Sequence, residues 1–174
     1  AIKSLSLNDD VNLILVGGEK NISRALSKLK YDKNRIDIKH TNQIIDMNES
    51  PAVGIKHKKY ASVLVAARLV SNKEAEGFFS PGNTGATLAA ALTEVGRIKG
   101  VMRPPLVSTL PKIGGEFCMM DMGANVDCTP DYIAQFAVMG RVFAKRFLKI
   151  NNPRVALLNI GEENSKGNAE TKKF

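Results

Sequence analysis

Three glycine-containing turns carry the residues of this chain that are best suited to chemistry. The first, Ser-Pro-Gly-Asn-Thr-Gly at 80–85, leads from a predicted strand into a predicted helix. Glycine allows close backbone approach, and the first turn of a helix presents unpaired N–H groups at the positive end of its dipole. An anion, above all phosphate, suits that position, and Asn83 and Thr84 add side-chain donors. The local sequence equally allows a tight turn in which one of these side chains only caps the helix.

The second and third turns combine glycine and asparagine with charge. Asp121 ends a hydrophobic run and opens the second turn, Asp-Met-Gly-Ala-Asn-Val-Asp, in which Asn125 is a candidate donor. The third turn, Gly-Glu-Glu-Asn-Ser-Lys-Gly-Asn at 161–168, places Lys166 after an apolar run, where its ammonium group could neutralise phosphate or a developing oxyanion. The alternatives are an ordinary turn with a capping acid for the second and a solvated surface loop for the third.

The charge balance is basic, because 25 Lys and Arg against 17 Asp and Glu give a net charge of +8. Lys56, Lys58 and Lys59 concentrate part of this charge, which indicates either an acidic partner or a solvated face. With seven Phe, three Tyr and no Trp, stacking-type nucleic-acid binding is disfavoured. The two Cys are expected to be free thiols or small hydrophobes in a reducing compartment, and the two His are too isolated to predict a metal site.

The elements that must position these turns alternate between strand and helix. We predict strands at 11–16, 35–39, 77–80, 106–110, 117–122 and 154–160, and helices around 22–29, 51–59, 60–70, 84–95 and 129–147. Such alternation favours an α/β fold with a mostly parallel sheet and helices on both faces. Ligands in these folds lie outside the carboxyl ends of the strands, so the three turns are expected to surround one anion. The length of 174 residues predicts a single domain spanning 1–174.

Five segments of the chain resemble the PlsX family, the bacterial acyl-ACP:phosphate acyltransferases, where ACP is acyl carrier protein. They are 80–86, Gly-Arg-Ile-Lys-Gly at 96–100, Arg-Pro at 103–104, 121–127, and Leu-Leu-Asn-Ile-Gly-Glu-Glu-Asn-Ser-Lys-Gly-Asn at 157–168. The resemblance runs in order over essentially the whole chain. It implies transfer of a fatty acyl group from ACP to inorganic phosphate, which gives acyl phosphate for phospholipid synthesis.

The resemblance also implies a three-layer α/β/α sandwich like that of the isocitrate and isopropylmalate dehydrogenases, assembled as a homodimer without a cofactor. It places a lysine near the reaction centre at the position of Lys166. Under this hypothesis the residues Gly82, Asn83, Thr84 and Gly85 hold phosphate, while Asn125 donates to a substrate oxygen and Asp121 orients Lys166 or a water. The basic cluster Lys56, Lys58 and Lys59 would then dock the acidic carrier protein.

Relatives of this family open with a strand and an Asp-Ala-Met-Gly-Gly-Asp loop and continue into a second half, and this chain contains neither. We therefore expect a fragment. With no apolar run near the ~20 residues of a membrane span and no signal-peptide pattern, a cytoplasmic location is expected. The family suggests peripheral contact with the membrane and its glycerol-3-phosphate acyltransferase. Two alternatives stay open: a phosphotransacetylase-like enzyme that uses acyl-CoA, and a basic module without enzymatic activity that binds nucleic acid or anionic lipid.

Overall fold

The computed structural model describes residues 1–125, 127–161 and 166–167, in two compact units that meet in sequence between Gly96 and Arg97. The first unit contains helix α1 (Ile2–Leu5), strand β1 (Leu13–Gly17), α2 (Glu19–Leu26), a 3-10 turn (Lys33–Arg35), β2 (Ile36–His40), α3 (Pro51–His57), α4 (Ser62–Ser71) and α5 (Thr84–Ala90), which continues as a π-helical turn (Ala91–Val95). The second unit contains β3 (Val107–Lys112), β4 (Gly115–Met120) and α6 (Pro130–Arg146).

The first unit begins as a parallel strand–helix–strand motif. Strands β1 and β2 pair in parallel, with Leu13 opposite Ile36 and Gly17 opposite His40. Helix α2 connects the two strands. Parallel strands need such a crossover, because the chain must return to the starting edge before the second strand can run in the same direction. The strands predicted at 11–16 and 35–39 are confirmed, and so is the α/β class. The three-layer dehydrogenase-like arrangement and the single domain stay predictions.

Small residues build the core of the first unit, where α3, α4 and α5 pack together. Ala61, Ala67 and Ala90 are completely buried beside Leu64, because a methyl side chain lets helices approach closely. The helices predicted at 51–59 and 60–70 are confirmed. They are separated at Lys58, whose backbone leaves the helical region with φ −111° and ψ 68°.

The second unit is organised around a β-hairpin. Strands β3 and β4 pair antiparallel, and Ile113 and Gly114 form the two-residue connection between Lys112 and Gly115. The strands predicted at 106–110 and 117–122 are formed, and their antiparallel pairing departs from the mostly parallel sheet that was expected. Gly114 takes φ 77°, which only glycine adopts at little cost, and a two-residue loop forces the chain to return antiparallel.

Helix α6 covers the hairpin with the apolar stripe that the sequence predicts. Thr129 caps the helix by accepting a hydrogen bond from Tyr132 N at 3.4 Å, and Pro130 occupies its first turn. Phe136, Gly140 and Ala144 are buried on one face. The predicted stripe is wrong at its end, because Phe147 lies beyond the last helical turn and is exposed.

Two predicted strands are not formed. The residues at 77–80 are irregular, and Phe79 is 87% exposed. The residues at 154–160 are also irregular, and Ile160 is 85% exposed. An apolar run forms a strand only when a neighbouring strand takes its backbone hydrogen bonds, and no described strand pairs with either run.

Helix α5 and its π-helical turn match the helix predicted at 84–95, although Leu92 and Val95 are exposed rather than covered. None of the helices in the described ranges is long and apolar enough to cross a membrane.

Candidate functional site

Asn83 caps helix α5 at the first predicted turn. Its side-chain oxygen Oδ1 accepts a hydrogen bond from Ala86 N at 3.0 Å, and its main-chain oxygen accepts from Thr87 N and Thr87 Oγ1, each at 3.0 Å. This is the capping alternative that the local sequence allowed. The Asn83 side chain thereby satisfies the Ala86 amide, one of the amides that the first turn of a helix leaves without an intrahelical partner, while Thr87 N makes the first regular helical hydrogen bond.

The side-chain NH₂ group of Asn83 is also bound within the protein. Nδ2 donates to three main-chain oxygens of one loop, at 3.3 Å to Asp46, 3.2 Å to Met47 and 2.9 Å to Glu49. Both ends of the Asn83 amide therefore hold protein groups. Phosphate binding at this turn stays a prediction, and it would depend on exposed backbone amides and on the Thr84 hydroxyl rather than on the Asn83 side chain.

The two glycines of this turn have different surroundings. Gly82 N donates to Ser80 Oγ at 3.3 Å, which closes the turn before the helix. At Gly85 a Cβ atom would lie 2.7 Å from Cγ of Pro51, a distance that carbon atoms do not tolerate without a shift. Glycine at 85 thus lets the first turn of α5 approach the first turn of α3. Gly85 and Thr84 remain exposed on the other side.

The predicted basic cluster is divided by its contacts. Lys56 and Lys59 are exposed, as a docking surface requires. Lys58 instead donates to the Glu49 carboxylate at 2.6 Å and to Ile44 O at 2.8 Å. The hydrogen bond from Lys58 lowers the pKa of the Glu49 carboxyl group. Glu49 was not predicted from the sequence, because nothing in the spacing of 49 and 58 identifies the ion pair.

In the second unit, Asp121 builds the turn that follows β4. Its Oδ1 accepts from Leu106 N at 2.8 Å and Ala124 N at 3.3 Å, and its Oδ2 accepts from Asn125 N at 2.8 Å and Asn125 Nδ2 at 3.0 Å. A carboxylate that accepts several backbone amides fixes the path of the chain. The structure therefore supports the capping-acid alternative for Asp121, and a direct role in orienting Lys166 stays a prediction.

The same turn gives Cys128 its environment. Burial raises the pKa of the Cys128 thiol, and the negative charge of Asp121 adds to the effect. Both cysteines are free and half-buried, as predicted.

Lys166 is described and exposed, whereas most of its predicted turn, 162–165 and 168, lies outside the described residues. The predicted convergence of turns 80–85, 121–127 and 161–168 involves both units and stays a prediction.

A cavity of about 380 Å³ opens in the first unit at the carboxyl end of β2. Its lining includes Lys39, His40, Tyr60, Arg68, Leu69 and Glu74, and none of the predicted site residues. His40 Nδ1 accepts a hydrogen bond from Glu19 N at 3.1 Å, and Arg68 pairs with Glu94 through two contacts of 2.6 and 3.1 Å. The sequence feature that could have indicated this cavity is the end of the strand predicted at 35–39, because cavities in α/β folds lie at the carboxyl ends of strands.

Comparison with known proteins gives consistent matches along the chain. A family model described as "Fatty acid synthesis protein" matches residues 1–174. A curated phosphate acyltransferase of Brachyspira hyodysenteriae is 81% identical over 173 residues, which is 99% of this chain and 51% of that protein. A curated phosphate acyltransferase of Leptospira biflexa is 45% identical over 91% of this chain and 47% of that protein. The one of Syntrophomonas wolfei is 42% identical over 98% of this chain and 54% of that protein. The chain spans about half the length of the curated relatives it matches.

Proposed function

We propose, from the premise that this chain belongs to the fatty acid synthesis protein (PlsX) family, that the full-length protein transfers a fatty acyl group from ACP to inorganic phosphate. The product is acyl phosphate, an activated precursor for phospholipid synthesis. The observation that carries this proposal is the 81% identity, over 99% of this chain, to a protein named phosphate acyltransferase. Identity at that level favours the same reaction in both proteins.

The chemistry needs anion stabilisation more than it needs a protein nucleophile. A phosphate oxygen attacks the thioester carbonyl, a C–O bond forms, the C–S bond breaks, and the thiolate of ACP leaves and takes up a proton. Both phosphate and the tetrahedral intermediate are anionic, so amide donors and an ammonium group lower the barrier. The exposed turn at Thr84 and Gly85 and the exposed ammonium of Lys166 supply groups of this kind. Asn125 Nδ2 donates to Asp121 Oδ2 at 3.0 Å, so a role as substrate donor would require Asn125 to exchange that hydrogen bond for one to the substrate.

A carrier-protein dock is the second part of the proposal. Lys56 and Lys59 are exposed at the end of α3 and can meet acidic side chains of ACP. Opposite charges on two surfaces raise the association rate and make it sensitive to salt. Homodimer formation and peripheral contact with the membrane, which the family suggests, belong to the same proposal for the full-length protein.

A donor comparison tests the proposed function. The full-length protein is incubated with phosphate and either a long-chain acyl-ACP or the matching acyl-CoA, and acyl phosphate is trapped as its hydroxamate. We expect phosphate-dependent product with acyl-ACP, formed in equal amount with free ACP thiol. A preference for acyl-CoA would instead indicate a phosphotransacetylase-like enzyme. Absence of product with both donors, together with salt-sensitive binding of nucleic acid or anionic vesicles, would replace the proposal with a basic binding module.

A further inference from the structure

We propose that Lys58 is a positioning residue that sets the conformation of the turn at 82–85, rather than part of the carrier-protein dock. This inference rests on the proposed function, in which that turn binds phosphate. It separates Lys58 from Lys56 and Lys59, its neighbours in the basic cluster. A continuous set of hydrogen bonds connects the Lys58 ammonium to the first turn of α5.

The ammonium group of Lys58 is directed into the protein. Nζ donates to Ile44 O at 2.8 Å and to Glu49 Oε2 at 2.6 Å. Only a third of the side-chain surface of Lys58 is exposed, and only 21% of that of Glu49. A lysine held by a carbonyl and a carboxylate in this way has little freedom to reach an approaching protein.

The bound carboxylate in turn closes the loop at 46–49. Glu49 Oε2, the atom that Lys58 contacts, also accepts from Asp46 N at 3.2 Å, and Glu49 N donates to Asp46 O at 3.1 Å. Because one carboxylate oxygen joins the lysine to the start of this loop, the loop carbonyls are held in a fixed arrangement.

These carbonyls are the acceptors for Asn83. Its Nδ2 group donates to the main-chain oxygens of Asp46, Met47 and Glu49, and this fixes which way the amide faces. The opposite end, Oδ1, then accepts from Ala86 N at 3.0 Å. The orientation of the first α5 amides therefore depends on the loop that Lys58 closes.

Side-chain packing joins the same three pieces. A Cβ on Gly54 of α3 would lie 2.9 Å from the Ile45 side chain, and a Cβ on Gly85 would lie 2.7 Å from Pro51. These approaches place helix α3 in close contact with both the loop at 44–49 and the start of α5. A displacement of one of the three segments therefore shifts the other two. Loss of the Lys58 ammonium leaves the Glu49 carboxylate without its cation and loosens the loop carbonyls that orient Asn83.

Kinetics of the full-length protein test the inference with matched lysine variants. The test variant is Lys58→Met, and Lys58→Arg is its conservative counterpart, because arginine keeps the positive charge and the donors. Lys59→Met removes a lysine of the predicted dock. Lys30→Met removes an exposed lysine elsewhere in the first unit and serves as the control. Lys58→Met removes both hydrogen bonds of Nζ, and we expect the loosened turn to raise the KM for phosphate about tenfold, with a smaller change in kcat. Lys58→Arg should restore most of the affinity.

The dock gives a different result in the same assay. Lys59→Met should raise the KM for acyl-ACP and reduce its salt dependence, while the KM for phosphate stays at the value of Lys30→Met. If Lys58→Met instead reproduces Lys59→Met, with an unchanged KM for phosphate, Lys58 belongs to the dock and the inference is wrong.

Hydrogen exchange separates this inference from the proposed function. Exchange at the amides of 84–87 should be faster in Lys58→Met than in Lys30→Met, because the Ala86 N–H loses a firmly held acceptor. This result would support the link between Lys58 and the turn even if the wild-type protein formed no acyl phosphate, an outcome that would remove the proposed function. Unchanged exchange at 84–87 would overturn the positioning role whatever the turnover.

Discussion

The carboxylate of Asp121 accepts hydrogen bonds from three backbone amides and from the Asn125 side chain, at 2.8 to 3.3 Å. Replacement by Ala leaves these part-buried donors without their acceptor, so Asp121→Ala should lower the free energy of unfolding by about 1–3 kcal/mol. Asp121→Asn keeps one acceptor oxygen and should lose less. Urea unfolding of both variants measures the difference. Equal stability of wild type and Asp121→Ala would contradict the structural role.

Cys128 gives a pH-dependent prediction at the same scale. Burial, followed by the nearby carboxylate of Asp121, raises the pKa of this thiol, and only the thiolate reacts with alkylating reagents. In a Cys118→Ser background, alkylation of Cys128 by iodoacetamide should therefore have its midpoint at a higher pH than alkylation of the cysteine in a short, uncharged peptide with blocked ends. Reaction rates between pH 7 and pH 11 give both midpoints. A midpoint at or below that of the free thiol would show that this description of the thiol environment is wrong.

Residue types alone identified the polar turns but not the direction in which their side chains bond. Asn83 was expected to hold phosphate and Asp121 to orient Lys166 or a water, and both instead use their polar atoms on backbone groups close in space. Asn and Asp have this ambiguity because their short side chains reach local amides as easily as a ligand. The acceptors of Asn83 lie 34 to 37 residues away in sequence, a separation that no local pattern encodes.

At the scale of elements, the contact between α3 and α5 depends on the absence of a side chain at Gly85. A Cβ there would lie 2.7 Å from the rigid ring of Pro51. Gly85→Ala should therefore lower the free energy of unfolding by about 1–2 kcal/mol, despite the better helix propensity of Ala. Pro51→Ala removes the ring, and the double variant should be more stable than the two single effects predict. Thermal or urea unfolding of the three variants checks this. Additive effects would indicate that the two helices do not press on each other at this point.

Most helices and the strands at 11–16 and 35–39 could be predicted because their signals are local. The apolar spacing of α6, its Thr129 cap and the run at 11–16 each lie within one element. Strand pairing is not local, which explains the three errors in the sheets. The glycines at 114 and 115 were the missed signal for the hairpin, and the runs at 77–80 and 154–160 have strand-like composition without a described partner strand.

At the scale of the whole molecule, the candidate residues for acyl transfer are divided between the two units. Lys166, in the second, carries the cation that the proposed mechanism places on phosphate or on the oxyanion. In the full-length protein Lys166→Ala should therefore reduce phosphate-dependent loss of acyl-ACP by about 10²-fold or more, as loss of an oxyanion-stabilising group does. Lys166→Arg keeps the charge and serves as the control. Wild-type turnover in Lys166→Ala would remove this residue from the mechanism.

The central claim is that the exposed turn at Thr84 and Gly85 binds the phosphate of the proposed reaction. A crystal structure of the full-length protein grown with phosphate tests it most directly. The proposed function predicts one phosphate within hydrogen-bonding distance of the Thr84 and Gly85 amides. A phosphate bound elsewhere, with this turn unoccupied, would contradict it.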